Sequence, residues 1–359
     1  MKKLHILNCQ PDDLTFWWQS LVQLNNAREL GISDKFRLLI FTPPDRQANG
    51  INPKWKELEG MFPESKFFYY FDEADIMRDI GSVGYIPLLR PYMLARHFKD
   101  FPELVNDAIF YIDGDVLFTK PIDWIDSMVD DDVNYLSDTK GYLNSDYFDS
   151  KIKDVSPDKL EEYKKIDVLA TLSQYFGISR EICEKNKDCT GGAQSLLKNV
   201  DYRFWQDVYS GSIVVRKYLR SINTTYFPSE DKGFQSWAAD MWSLIFNLWK
   251  RGATTSTPKE MDFAWATDSI DRIEKVNIFH NAGITGSKKL ISSEPGDRVG
   301  TRIEVDCPAF YKGAYVNNDK TPFNDVEYLE SVVNNEISRK FCTYYYVQAI
   351  LTTKEKFKL

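Results

Sequence analysis

Cysteine is scarce and scattered: Cys9, Cys183, Cys189, Cys307 and Cys342 are the only ones in 359 residues, and no two stand at C-x-x-C spacing. That removes the usual sequence signal of a paired-cysteine metal or redox site. Cys183 and Cys189 could bridge, but free thiols in a reducing compartment are expected. No stretch approaches the roughly 18 apolar residues of a membrane-crossing helix. The basic start, MKKLHILNCQPDDL, has no apolar segment of the secretory kind, so the chain reads as cytoplasmic. The Asn223-Thr224-Thr225 sequon then reads as coincidence. Positive charge is not in excess: the formal net charge is −8, which argues against a broad duplex-DNA surface. No G-x-G-x-x-G loop occurs, which takes away the usual support for a nicotinamide or flavin site. Internal repeats are absent too.

Aromatic residues, by contrast, are plentiful at 14%: many must belong to the core, and a surplus of this size also suits a site that stacks rings or sugars. Hydrophobic content of 43% and charged content of 27% are those of an ordinary globular chain.

Along the chain, KLHILN (3–8) reads as a buried strand, followed by a helix that Asp12 or Asp13 caps and Gly31 stops. KFRLLIFTPP (35–44) is a second strand, NPKWKELEGMF a short helix, SKFFYYF (65–71) a third strand and PLLRPYMLARHFKDF (87–101) a helix. A strand through AIFYID follows. This alternation predicts a mainly parallel sheet with helices on both faces, in which ligands bind beyond the carboxyl ends of the strands. Residues 138–189 are polar and read as an exposed insertion or flexible lid with helical pieces. Helices are expected in DYRFWQDVYSGSIVVRKYLRS and over 234–252, and a short strand in KVNIFHNAG (275–283). The terminal TTKEKFKL is expected to fray.

Within AIFYIDGDVLF, Asp113 and Asp115 follow one of the most apolar runs in the chain. Ionised carboxylates at the end of a buried strand need compensation by a metal, by hydrogen bonds or by water. Oxygen ligands suit Mg²⁺ or Mn²⁺, ions that also hold substrate phosphates. The small Gly114 between them allows a tight turn. Asp240 stands inside the otherwise apolar WAADMWSLIF, where a carboxylate should face a cavity or a cation. His280 ends the apolar VNIF and fits a ligand at a strand end, whereas His5 and His97 read as structural. Trp237, Trp242 and Trp265 read mostly as core, with one available to stack on a sugar or base.

RPYMLARHF and NDAIFYIDGDVLFTKPI together resemble the core of GT-A fold, metal-dependent glycosyltransferases, in which an apolar strand ends in D-x-D. TGGAQSLLK is similar to that family's glycine-bearing strand beside the donor sugar. SWAADMWSLIFNLWKRG is similar to the helix of the peptidyl hydroxyproline arabinosyltransferase and serine galactosyltransferase group, and IFHNAG to the late histidine that completes the metal site. The likeness runs from about residue 85 to 285.

The resemblance implies an α/β fold of GT-A type: a Rossmann-like, mainly parallel central sheet flanked by helices, with an inserted segment and a C-terminal extension. It implies a catalytic domain over 1–290, made of a nucleotide-binding half (1–125), the insertion and an acceptor-side half (190–290), with 291–359 packed on it. It implies an enzyme that moves a sugar from a nucleotide-sugar, a UDP-sugar by expectation, to a glycan, protein or modified nucleobase. Asp113, Asp115 and His280 would hold Mn²⁺ or Mg²⁺. Asn8, Gln10, Arg90, Asp113, Gly191, Gly192 and Gln194 would contact the donor. Asp240 would be the catalytic carboxylate, either a general base or a group that holds the acceptor or stabilises the transition state. Two other readings remain open at this stage. One is a phosphohydrolase of haloacid-dehalogenase type with Asp113 as nucleophile. The other is a non-catalytic nucleotide-sugar-binding module.

Overall fold

The computed structural model describes residues 2–44, 50–71, 76–282, 289–293, 302–316 and 320–359. The chain begins with β1 (Leu4–Pro11), α1 (Leu14–Glu29), β2 (Phe36–Thr42), α2 (Pro53–Met61) and β3 (Lys66–Phe71). It continues through α3 (Ile76–Val83), α4 (Leu89–Asp100), β4 (Ala108–Tyr111), β5 (Val116–Phe118), β6 (Asn134–Asp138) and β7 (Gly191–Leu197). Two long helices follow, α5 (Tyr202–Tyr226) and α6 (Ala239–Lys250), then short strands β8 (Thr255–Ser256), β9 (Phe263–Trp265) and β10 (Ile278–His280). The ribbon of β11 (Lys289–Ser293) and β12 (Arg302–Pro308) precedes α7 (Val326–Asn334) and α8 (Thr343–Phe357).

Local chemistry explains the boundaries. Asp13 caps α1 by accepting from the Thr15 N–H at 2.8 Å. Asp12 does a different job, accepting from the Thr42 hydroxyl and the Asn52 N–H. Asn52 caps α2, whose first residue is Pro53. Every residue of β2, FRLLIFT, is buried, as a strand covered on both faces must be.

The fold class is α/β with a mostly parallel sheet, as the sequence predicts. Strand order is β3-β2-β1-β4-β7-β6-β8. β1 pairs parallel with β2, which pairs parallel with β3. β7 runs antiparallel to both β4 and β6. The chain forms two compact units, each assembled from separated segments.

The first unit comprises Met1–His5, Asp72–Tyr111 and Met128–Pro258. Here α5 packs against α4 and α6. The fully buried Trp205 of α5 meets Phe98 and Tyr111 edge-on or tilted, with ring centroids 6.1 and 5.8 Å away. The segment 138–189 carries the helical pieces expected of it, but it is packed down rather than loose. Phe148 lies 4.9 Å from Phe234 and 5.0 Å from Trp242, and Leu143, Leu169 and Leu172 are buried. Its polar composition belongs to its outer face. Asn223 of the sequon is buried and bonds Phe234 through both its amide atoms, so its side chain is committed to the fold.

The second unit comprises Ile6–Phe71, Ile112–Ser127 and Lys259–Leu359. It holds the parallel strands β3-β2-β1 and a small sheet of order β5-β10-β9. Trp18 of α1 is completely buried beside Phe310, Tyr315 and Tyr346. α8 continues to Phe357 where fraying was expected. Phe357 packs on Phe62, and the Leu359 N–H bonds the Lys354 carbonyl. Among the described residues no disulfide links the cysteines. Among the described residues no helix is long and apolar enough to cross a membrane.

Candidate functional site

In the second unit the small sheet brings two distant parts of the chain together. β5 pairs antiparallel with β10, placing His280 opposite Val116, and β10 pairs parallel with β9, placing His280 opposite Trp265. The Asn281 N–H donates to the Asp115 carbonyl at 3.0 Å. Val116, Leu117, Phe118, Ile278 and Phe279 are all but inaccessible, so apolar packing fixes the register that aligns the polar ends. The turn between the acids is tight. A Cβ on Gly114 would lie 2.0 Å from Gln10 Nε2.

Asp113, Asp115 and His280 each offer a ligand atom, and these atoms all lie within 4.8 Å of one another. Opposite ligands on a small octahedral cation stand about 4.2 Å apart, so one ion can be reached by all three with slight adjustment. His280 Nε2 lies 3.3 Å from Asp115 Oδ1 and 3.7 Å from Asp113 Oδ2. The imidazole stacks on Trp265 at an interplanar angle of 18°, which fixes its plane. Lys312 Nζ donates to the other Asp115 oxygen. Burial disfavours the Asp115 anion, but the Lys312 ammonium and the His280 ring outweigh it and hold its carboxyl far below the usual range. Asp113 is the more open acid, with 22% of its side chain exposed against 6% for Asp115.

The residues present fit a divalent cation. Two carboxylates and an imidazole form a donor set suited to Mn²⁺ or Mg²⁺. The Oδ1 of Asn281, buried beside His280, has no hydrogen-bond partner among the described residues. Gly283, in the same IFHNAG segment, lies outside the described residues.

A chain of buried amides supports the acidic turn. Gln10 Nε2 donates to Asn8 Oδ1, and Asn8 Nδ2 donates to Gln23 Oε1 at 2.5 Å. Gln23 Nε2 then donates to the carbonyls of Asp113 and Val116, both at 2.8 Å. Asn8 and Gln10 thus reach the acidic turn from the exit of β1.

The first unit holds a second polar cluster. Arg90 Nη2 donates to Asp240 Oδ2 at 2.5 Å, and the Tyr85 hydroxyl lies 2.5 Å from Asp240 Oδ1. Asp240 is buried, so the carboxylate is neutralised by Arg90 and oriented by Tyr85. Arg90, Asp240, Gly191, Gly192 and Tyr111 line one small cavity. Ala193, next along β7, has φ of 63°, uncommon for a residue with a side chain. Gln194 is fully buried in the same strand.

Lys312, Gln23 and Tyr85 carried no motif in the sequence. Gln23 had a faint signal, as an amide among the apolar residues of α1; Lys312, in YKGAY, had none. Trp237, read with the core tryptophans, is 49% exposed, whereas Trp242 is buried. His5 bonds Asp107 at 3.0 Å, and His97 is buried against Phe101.

No family model matches the chain, and no curated protein sequence matches it. Among solved structures it is similar to the bifunctional glycosyltransferase WbbM in its apo form, at 10% identity and a TM-score of 0.42. That match covers 79% of this chain and 46% of WbbM, so the chain spans less than half the length of that protein. It is also similar to the galactosyltransferase LgtC in complex with donor and acceptor sugar analogs, at 11% identity and a TM-score of 0.39. That match covers 78% of this chain and 87% of LgtC.

Proposed function

We propose that the chain is a glycosyltransferase that moves a sugar from a nucleotide-sugar, a UDP-sugar in the first instance, to an acceptor hydroxyl with a divalent cation. The observation that carries this reading is the convergence of Asp113, Asp115 and His280 at the ends of β5 and β10. Bound there, the cation would neutralise the charge that builds on the departing nucleoside diphosphate. Asp115, the more buried acid, would be the fixed ligand, and Asp113 would also reach the donor. His280 favours Mn²⁺ over Mg²⁺ because imidazole is the softer donor. Asn8 and Gln10, through Gln23, hold the acidic turn in shape and are assigned to the nucleotide side.

Gly191, Gly192 and Gln194 are assigned to the donor sugar, with Arg90 as a donor contact. Both oxygens of Asp240 are engaged, by Tyr85 and Arg90. That favours a positioning or charge-stabilising carboxylate over a general base, which must have an oxygen free for the acceptor proton.

The experiment is a panel of UDP-, GDP- and CDP-sugars with Mn²⁺, scored for release of the nucleoside diphosphate. Asp115→Asn should abolish release from the productive donor and leave the circular dichroism spectrum unchanged. Absence of release from every donor, or hydrolysis of p-nitrophenyl phosphate that depends on Asp113, would replace this reading.

A further inference from the structure

We propose that Lys312 is an exchangeable counter-ion of this site. It neutralises Asp115 when no divalent ion is bound, and it moves to a diphosphate oxygen of the donor when the ion takes its place. The inference rests on the reading above and extends it to a residue that no sequence motif marks. Asp115 is buried, with one oxygen toward His280 and the other on the Lys312 ammonium. A buried carboxylate stripped of its cation is strongly destabilised, so some positive charge must always be there. A dication and an ammonium on one carboxylate repel each other strongly in a poorly hydrated setting, so the two exclude each other.

The surroundings of Lys312 allow the exchange. Its backbone lies in the single turn Lys312–Tyr315, which is tied down on several sides. The Tyr311 N–H donates to the Tyr328 hydroxyl at 2.9 Å. The Tyr315 carbonyl accepts from the Thr15 hydroxyl at 2.9 Å, and the Tyr315 hydroxyl bonds Asp325. The Lys312 side chain itself is 27% exposed. The flexible stem can therefore swing while the backbone stays, and a compact ammonium suits a phosphate oxygen as well as a carboxylate. It follows that the bare ion competes with Lys312 for Asp115, whereas the ion that arrives with a nucleoside diphosphate offers Lys312 a new anionic partner.

The test uses the full chain with Mn²⁺ alone and with UDP in saturating Mn²⁺, read by calorimetry and by the paramagnetic resonance of free Mn²⁺. Lys312→Met should bind bare Mn²⁺ at least about fivefold tighter, and should bind UDP about tenfold weaker. Lys312→Arg should stay near wild type in both. Opposite shifts from one substitution are not produced by a merely structural lysine. If Lys312→Met does not fold, Lys312→Gln carries the same comparison. Wild type that binds both ligands, beside a variant whose two affinities move together or not at all, overturns the exchange alone. Wild type that holds no Mn²⁺ even with UDP overturns the donor reading and the exchange with it.

Discussion

Tyr85 and Asp240 are joined twice: the phenol oxygen lies 2.5 Å from the carboxylate Oδ1 and accepts from the Asp240 N–H at 3.1 Å. The same oxygen is 2.7 Å from the Trp237 carbonyl, and its single proton serves one of the two acceptors at a time. Burial and the neighbouring Asp240 charge keep the phenol neutral. Tyr85→Phe should cost about 1–3 kcal/mol of stability, because a buried charged acceptor loses a donor. If Asp240 acts in transfer, the same variant should lower kcat about tenfold and leave the donor KM nearly unchanged. Steady-state kinetics beside a denaturation curve would separate the two effects.

As a proposed cation ligand, His280 should set the metal preference. His280→Asn exchanges a nitrogen donor for an amide and should reduce the ratio of Mn²⁺-supported to Mg²⁺-supported activity by about tenfold. An unchanged ratio would remove the imidazole from the metal shell. The comparison should be made at saturating donor, so that the ratio reports the metal alone.

The two glycines of β7 should differ sharply. A Cβ on Gly191 would stand 1.9 Å from the Ser137 carbonyl oxygen, which backbone pairing holds in place. On Gly192 it would meet the Met241 thioether at 3.0 Å, a flexible neighbour. Gly191→Ala should therefore lose about 3 kcal/mol or more, and Gly192→Ala about 1 kcal/mol, measured as shifts in chemical denaturation. Equal losses would show that the β7 backbone moves freely enough to make room.

Glu64 gives the fold a dependence on acidity away from the site. Arg28 bonds both its oxygens, at 2.8 and 2.9 Å, and Ser33 bonds one of them. The Arg28 contact holds the Glu64 carboxyl down to about 2, against 4.5 for an ordinary glutamate. The stabilisation is therefore complete above pH 4.5 and is lost as the pH falls through about 2. Because the pair is partly exposed, Glu64→Gln should cost only about 1 kcal/mol at pH 7. The difference from wild type should vanish near pH 2, as followed by denaturation curves across that range.

The sheet was legible in the sequence because apolar runs such as FRLLIFT and AIFY, punctuated by helix caps, are local signals. The acidic pair was legible for a related reason, since carboxylates beside a buried strand break an otherwise consistent pattern. His280 was legible through its place at the end of VNIF. Lys312 was not, because its meaning lies in a contact with a residue 197 positions away and nothing in YKGAY marks it. The packing of 138–189 was hidden as well. Its charges dominate the composition, while the few aromatics that anchor it, such as Phe148, find partners far along the chain. The continuation of α8 to Phe357 depends on Phe62, again a distant neighbour.

The second unit joins Ile6–Phe71 to Ile112–Ser127 and Lys259–Leu359. A nascent chain emerging from the ribosome therefore carries Asp113 and Asp115 long before it carries His280 or Lys312. Until residues 280 and 312 have been added, the acidic turn has neither of its nitrogen-bearing companions, and the cluster can close only after both have been made.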